Sequence, residues 1–172
     1  MLKLLGAMLI LLAFTLFGFY QAHQFARRPK QIAELIRSIQ RLETEITYGF
    51  TPLPQALLKV AEACPPPVGA LFRNAAEALA KDGCRSVQQI WQEAIHNQWQ
   101  HTSMKKGEQD IIRQLGFTLG LSDSTDQVKH LRLAIQQLQG EMDGAQEDRK
   151  RYESMWRSLG LLMGALLVIL MY

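Results

Sequence analysis

Four histidines, two cysteines and a few acidic pairs are the residues able to do chemistry here, so their spacing is the first test of function. His23 and His130 stand alone, and His96 and His101 are five apart. That interval splits a pair across a helix, whereas metal ligands at i, i+4 would share a face. Cys64 and Cys84, in no CxxC or Cys/His pattern, make no zinc signature and read as small buried residues kept reduced. Gly116-Phe-Thr-Leu-Gly120 lacks the lysine and hydroxyl of a phosphate loop and reads as a helix end. Asp123 and Asp126 lack the glycine and terminal glutamate of a calcium loop, and acidic residues there suit a helix start. Glu43 and Glu45, two residues apart on a helix, point in different directions. Trp91, Trp99 and Trp156 fall at helical core positions. No Ser-His-Asp or Cys-His arrangement follows from these spacings. The residues predict no enzyme, no cofactor and no metal site.

The elements that position these residues begin at the two ends. Leu4 to Tyr20 is an uncharged apolar run of 17 residues, and Ser158 to Tyr172 is a second of 15. Crossing a bilayer as a helix takes about 20 apolar residues, with 17 near the lower limit. The first run reaches that with Leu2, and the second with Met155 and Trp156, Arg157 snorkelling to the headgroups. The expected domains are an N-terminal anchor at 1–21, a helical domain at 22–157 and a C-terminal anchor at 158–172. A cleaved signal peptide fits the first run poorly, because its arginines follow the apolar stretch and Tyr20 stands where a small residue is needed. Gly160 and Gly164 form a Gly-xxx-Gly pair of the kind that lets helices approach closely in lipid. Gly18 lies opposite Gly160 in depth if the anchors form a hairpin; self-association and ordinary membrane composition are the other readings.

Charge sets the expected orientation. The net charge of +3 is unevenly placed: Arg27, Arg28, Lys30, Arg149, Lys150, Arg151 and Arg157 all flank the apolar runs. Between residues 38 and 148 there are ten Lys or Arg against fourteen Asp or Glu, a balance of −4. The basic residues therefore belong to the membrane boundary, and the domain body is not a nucleic-acid binder. Positive residues near transmembrane ends stay cytoplasmic. The helical domain is thus expected in the cytoplasm with both termini across the membrane.

The middle reads as all-α, a bundle of about six helices. From Pro29 to Tyr48 the residues Ile32, Leu35, Ile36, Ile39, Leu42 and Ile46 make one apolar stripe, with Pro29 at the first helical position and Gly49 as the stop. Thr51 caps the next helix, Leu53 to Ala63, with Pro52 at its first position; it buries Leu53, Leu57, Leu58 and Val60 or Ala61. Cys64-Pro65-Pro66-Pro67 ends it. A third helix runs from Val68 to Lys81 on Leu71, Phe72, Ala75 and Leu79. Ser86 caps a fourth that runs to Gln100 and carries Ile90, Trp91, Ile95 and Trp99. Glu108 to Leu119 makes a fifth, on Ile111, Ile112, Leu115 and Phe117, weakened by Gly116 and ended by Gly120. The sixth opens on the capping box Ser124-x-x-Gln127 and keeps a seven-residue beat from Val128 through Leu131, Ile135, Leu138, Met142 and Ala145. Nothing stops it before the second apolar run.

Short motifs in fixed order carry a resemblance. They are Met1-Leu2-Lys3-Leu4-Leu5-Gly6, Arg28-Pro29-x-Gln31-Ile32, Leu42-Glu43-x-Glu45-Ile46-x-Tyr48-Gly49-x-Thr51-Pro52-Leu53 and Leu115-Gly116-x-Thr118-Leu119-Gly120-x-Ser122-Asp123. The helix of Gln127, His130 and Leu138 and the apolar tail complete the series. Together they resemble the stage III sporulation protein AB family of endospore-forming bacteria. The resemblance implies a helical domain similar to the cytoplasmic domains of the F-type platform proteins of type II secretion and type IV pilus machines. It also implies a place in the mother-cell (outer forespore) membrane, within the channel complex linking mother cell and forespore. The implied cytoplasmic partner is stage III sporulation protein AA, an ATPase of the secretion-motor type, alongside other membrane components of the channel. One domain and two anchors, where secretion platforms have two domains and more spans, argue for self-assembly.

On this reading the chain is a platform that passes an ATPase's conformational change along the sixth helix to the membrane. Glu43, Glu45, Tyr48, Gly49, Thr51 and Pro52 would form one contact patch, and the loop Gly120 to Gln127, with Asp123, another. Tight turns and helix caps account for the same residues structurally. The alternative is a lipid-surface organiser that uses the basic residues beside the anchors and has no motor partner.

Overall fold

The computed structural model describes the backbone of residues 26–49, 51–81, 85–120 and 124–171. It describes their side chains except those of 124, 153–154, 156–157, 159–161 and 163–171. Among the described residues there are six helices and no strand: α1 at 26–47, α2 at Leu53–Ala63, α3 at Val68–Lys81, α4 at Val87–Trp99, α5 at Lys106–Thr118 and α6 at Ser124–Met171. No helix among the described residues is long and apolar enough to cross a membrane. The run Leu4–Tyr20, Gly18 and His23 lie outside the described residues, as do the side chains of Trp156, Arg157, Gly160 and Gly164. The chain divides into two compact units, residues 30–143 and residues 1–29 with 144–172.

The larger unit forms because each helix carries one apolar stripe. On α1, Ile32, Leu35, Ile39 and Leu42 are fully buried, as the i, i+3, i+4 spacing requires. The helix is already formed at 26, ahead of the expected start at Pro29, whose ring is buried. Its last turn closes where Tyr48 and Gly49 donate their N–H groups to the Thr44 and Glu45 carbonyls, at 3.0 and 3.1 Å.

Expectation and structure differ at the start of α2. Thr51 does not cap it: Pro52 holds the capping position without a side-chain bond, and its carbonyl accepts from the Gln55 and Ala56 N–H groups. Pro54 occupies the first turn, where a missing N–H costs nothing. Ala56, Leu57, Val60 and Ala61 form the buried stripe. Leu58, expected inside, is 41% exposed, because one residue beyond Leu57 turns about 100° around the helix.

α2 packs on α3, α3 on α4 and α4 on α5. Ser86 caps α4 as expected, and Gln89 completes a capping box with it: the Gln89 N–H donates to Ser86 Oγ, and the Ser86 N–H to Gln89 Oε1. α5 begins earlier than expected, at Lys106, because the buried Glu108 carboxylate accepts the Lys105 N–H at 2.9 Å. Ile112 and Leu115 are buried, whereas Phe117, expected inside, is 47% exposed. The Ser103 N–H donates to Gln31 Oε1 at 2.7 Å, tying the α4–α5 connection to α1.

Trp91 is the hub of this unit. Its indole is 1% exposed and meets Phe72 of α3 edge-on, centroids 5.8 Å apart and planes at 65°. Its Nε1–H donates to the Ile112 carbonyl of α5 at 2.8 Å. Gly116 sits directly against the same ring: a Cβ there would stand 2.3 Å from Trp91 Cδ1. The glycine expected to weaken the end of α5 instead lets α4 and α5 close on one indole.

On α6 Leu131, Ile135, Leu138 and Ala145 of the seven-residue beat are buried, with Ala134 beside them, while Val128 and Met142 are half-buried. The helix begins at Ser124, the residue on which the sequence places its start; the Ser124 side chain lies outside the described residues. Gln127 donates its Nε2–H to the Leu119 carbonyl at the end of α5, at 3.3 Å.

Candidate functional site

The end of α1 gathers most of the motif-rich residues. Thr44 and Thr47 bend their hydroxyls back to the Gln40 and Glu43 carbonyls, at 3.0 and 2.7 Å. Glu43 and Glu45 do point apart, and each finds a partner on a different helix. Arg132 of α6 donates its Nε–H to Glu43 Oε1 at 2.7 Å, and Lys59 of α2 donates its ammonium to Glu45 Oε2 at 2.7 Å. The Thr51 hydroxyl donates to the same Glu45 oxygen at 3.0 Å. The Lys59 ammonium and the Thr51 hydroxyl hold the Glu45 carboxyl below its ordinary value.

These bonds reverse the sign of what the patch presents. The carboxyl side chains of Glu43 and Glu45 are only 19% and 20% exposed, whereas Arg132 and Lys59 are 70% and 53% exposed. Tyr48 stands 80% exposed at the helix end. Gly49 lies close under it, with room for no Cβ: one would stand 2.6 Å from the Glu45 carbonyl oxygen and 2.8 Å from Thr51 Oγ1. Pro52 is exposed and Thr51 half-buried.

The second patch is built around the α5–α6 turn. A Cβ on Gly120 would stand 2.7 Å from Val87 Cβ, so the glycine lets the turn lie against the start of α4. Gln127 holds the other side through the Leu119 carbonyl. Asp123 lies outside the described residues. Gln127 and Arg132, which holds Glu43, are five residues apart on one helix, or about 7.5 Å of rise. The sequence did not announce either long-range partner, Arg132 or Lys59; both are isolated basic residues on polar faces.

The remaining candidates stay apart. His96, His101 and His130 are exposed, and among the described residues no group of His, Cys, Asp or Glu could hold a metal ion. Cys64 is a half-buried free thiol that burial pushes up, while Cys84 lies outside the described residues. In the smaller unit, Arg28 Nη1 donates to Asp148 Oδ2 at 3.3 Å, and the Arg28 side chain is 12% exposed. Arg27, Lys30, Arg149, Lys150 and Arg151 are exposed.

Known proteins agree with the motif order. A family model described as stage III sporulation protein AB matches residues 3–172. Stage III sporulation protein AB of Bacillus subtilis (strain 168) is 39% identical over 171 residues, covering 99% of each chain. A solved structure of stage III sporulation protein AB superposes with a TM-score of 0.68 at 35% identity, covering 73% of this chain and 98% of that one. A match over almost every residue, with the same helical fold, establishes that the chain belongs to the stage III sporulation protein AB family.

Proposed function

We propose that the chain is a non-enzymatic membrane platform of the channel complex between mother cell and forespore. On this reading it docks a cytoplasmic ATPase of the secretion-motor type, stage III sporulation protein AA, and passes its motion to membrane components. The soluble bundle faces the cytoplasm, and the apolar runs 1–21 and 158–172 moor it. One observation carries the reading: α6 runs unbroken from Ser124 to Met171. A helix of 48 residues, about 72 Å of rise, joins the turn that Gln127 ties to α5 with the apolar residues beyond 158. Force applied at that turn has a continuous hydrogen-bonded path along the chain.

Tyr48 is the residue through which docking is best tested, since it is exposed and its removal disturbs no buried contact. The full chain in detergent is co-purified with the ATPase, with Tyr48→Ala as the docking variant and Gly140→Pro as the coupling variant. Gly140 is exposed, and a Cβ there would meet nothing within 4 Å, so proline breaks the helix without a clash of side chains. Expected are loss of ATPase retention in the first, and retention with loss of spore formation in the second. No retention by the unaltered chain, or thiol labelling that places a cysteine at exposed Gln100 outside the cell, overturns the reading.

A further inference from the structure

A cavity of about 160 Å³ opens between α1 and α2. One wall is Glu34, Arg37, Ser38 and Arg41; the other includes Cys64 with the exposed Ala63 and Pro65, over a fully buried Val60. Arg37 and Arg41 are one turn apart, exposed, and ion-paired to nothing among the described residues. Arg37 spends its Nε–H on the Ala33 carbonyl at 3.2 Å. Arg41 stands four residues before Glu45 and helps hold its carboxyl low from a distance, but the two form no ion pair; Lys59 and Thr51 take the Glu45 Oε2 atom. Glu34 is 9% exposed and supplies one negative charge against the two positive ones.

The cavity thus offers two guanidinium groups at its mouth and an apolar wall behind them. Its volume is well below the roughly 300–1,000 Å³ of a cofactor or drug-sized ligand site, so it suits a single side chain. Guanidinium groups bind carboxylates through paired N–H donors, and arginine is enriched among residues that dominate protein interfaces. A lysine would meet two like charges here, and a purely apolar side chain would make no use of the free N–H donors of the arginines.

We propose that this cavity receives a glutamate side chain presented by a protein partner, its methylenes against Ala63 and Pro65 and its carboxylate between Arg37 and Arg41. The proposal concerns the chemistry of this face and does not rest on which protein the partner is.

Cys64 lines the cavity and supplies the reporter. The full chain, with Cys84→Ser leaving one thiol, is held in nanodiscs of zwitterionic lipid, and the rate of maleimide addition to Cys64 is measured. The probe is a helical alanine peptide carrying three glutamates, with its glutamine counterpart as control. The glutamate peptide is expected to slow the addition at least fivefold, and the glutamine peptide to leave it unchanged. Protection is expected to vanish in Arg37→Gln/Arg41→Gln and to persist in Arg73→Gln, which removes an exposed charge outside the cavity. Both cavity arginines are exposed, and circular dichroism verifies that the variant is folded. The proposal is overturned if the glutamate peptide gives no protection, or equal protection in the double variant. Equal protection by inorganic phosphate alone, or by phosphatidylglycerol vesicles without peptide, overturns it in favour of a small-anion or lipid site.

Discussion

Gly116→Ala and Gly140→Ala are the same substitution in helices of the same protein, yet their surroundings give them opposite signs. At 116 the new methyl would lie 2.3, 2.9 and 3.2 Å from Trp91 Cδ1, Cγ and Cβ. Carbon atoms rest at about 3.5–4.0 Å, so the ring or the helix must move by about 1 Å. The ring cannot move freely, since Phe72 meets it on one side and the Ile112 carbonyl holds its N–H at 2.8 Å. Overpacking of this kind costs about 1–3 kcal/mol, and a displaced hydrogen bond about 1 kcal/mol. Against these stands the helix preference for alanine, about 1 kcal/mol. The net is a loss of about 1–3 kcal/mol, which lowers the melting temperature by about 2–12 °C in a chain of this size. At 140 nothing lies within 4 Å of the new methyl, so only the gain of about 1 kcal/mol remains. Thermal unfolding of the full chain in detergent, followed by far-ultraviolet circular dichroism, separates the two. A Gly116→Ala chain that melts at or above the unaltered protein would refute the packing assigned to Trp91.

Two further outcomes follow from burial and charge. Leu57→Ala should cost about 2–5 kcal/mol and Leu58→Ala no more than about 0.5 kcal/mol in the same assay, since Leu57 is fully buried and Leu58 is 41% exposed. The Glu45 carboxyl is held below the ordinary value of 4.5 by Lys59 first and Thr51 second. Its contribution to stability is therefore complete above 4.5 and is lost as the pH falls through the lower, folded value. A carbon-13 NMR titration should place the Glu45 midpoint below 4.5 and show Lys59→Met moving it back further than Thr51→Ala does.

The helices were legible where periodicity and punctuation agree. α2 and α3 keep the bounds read from proline and apolar spacing, and Ser86 caps α4 as expected. Two features escaped for physical reasons. Lys105 has no side-chain oxygen to cap α5, so only the reciprocal bond from Glu108 betrays the early start. Leu58 and Phe117 adjoin buried residues in sequence but lie about 100° away around their helices. At the candidate site, spacing gave the divergence of Glu43 and Glu45 but not their partners. The pairs with Arg132 and Lys59 span 89 and 14 residues, and a polar face does not say which other polar face it will meet. The result inverted the surface: carboxylates that look outward in sequence are turned inward, and the cations that hold them are what a visitor meets.

The indole resting on bare backbone also constrains how such a protein can change over generations. Residues 91 and 116 cannot drift separately, because a side chain at one consumes the volume occupied by the other. Descendants carrying alanine or serine at 116 should carry something smaller than tryptophan at 91, with the smaller residue arising first.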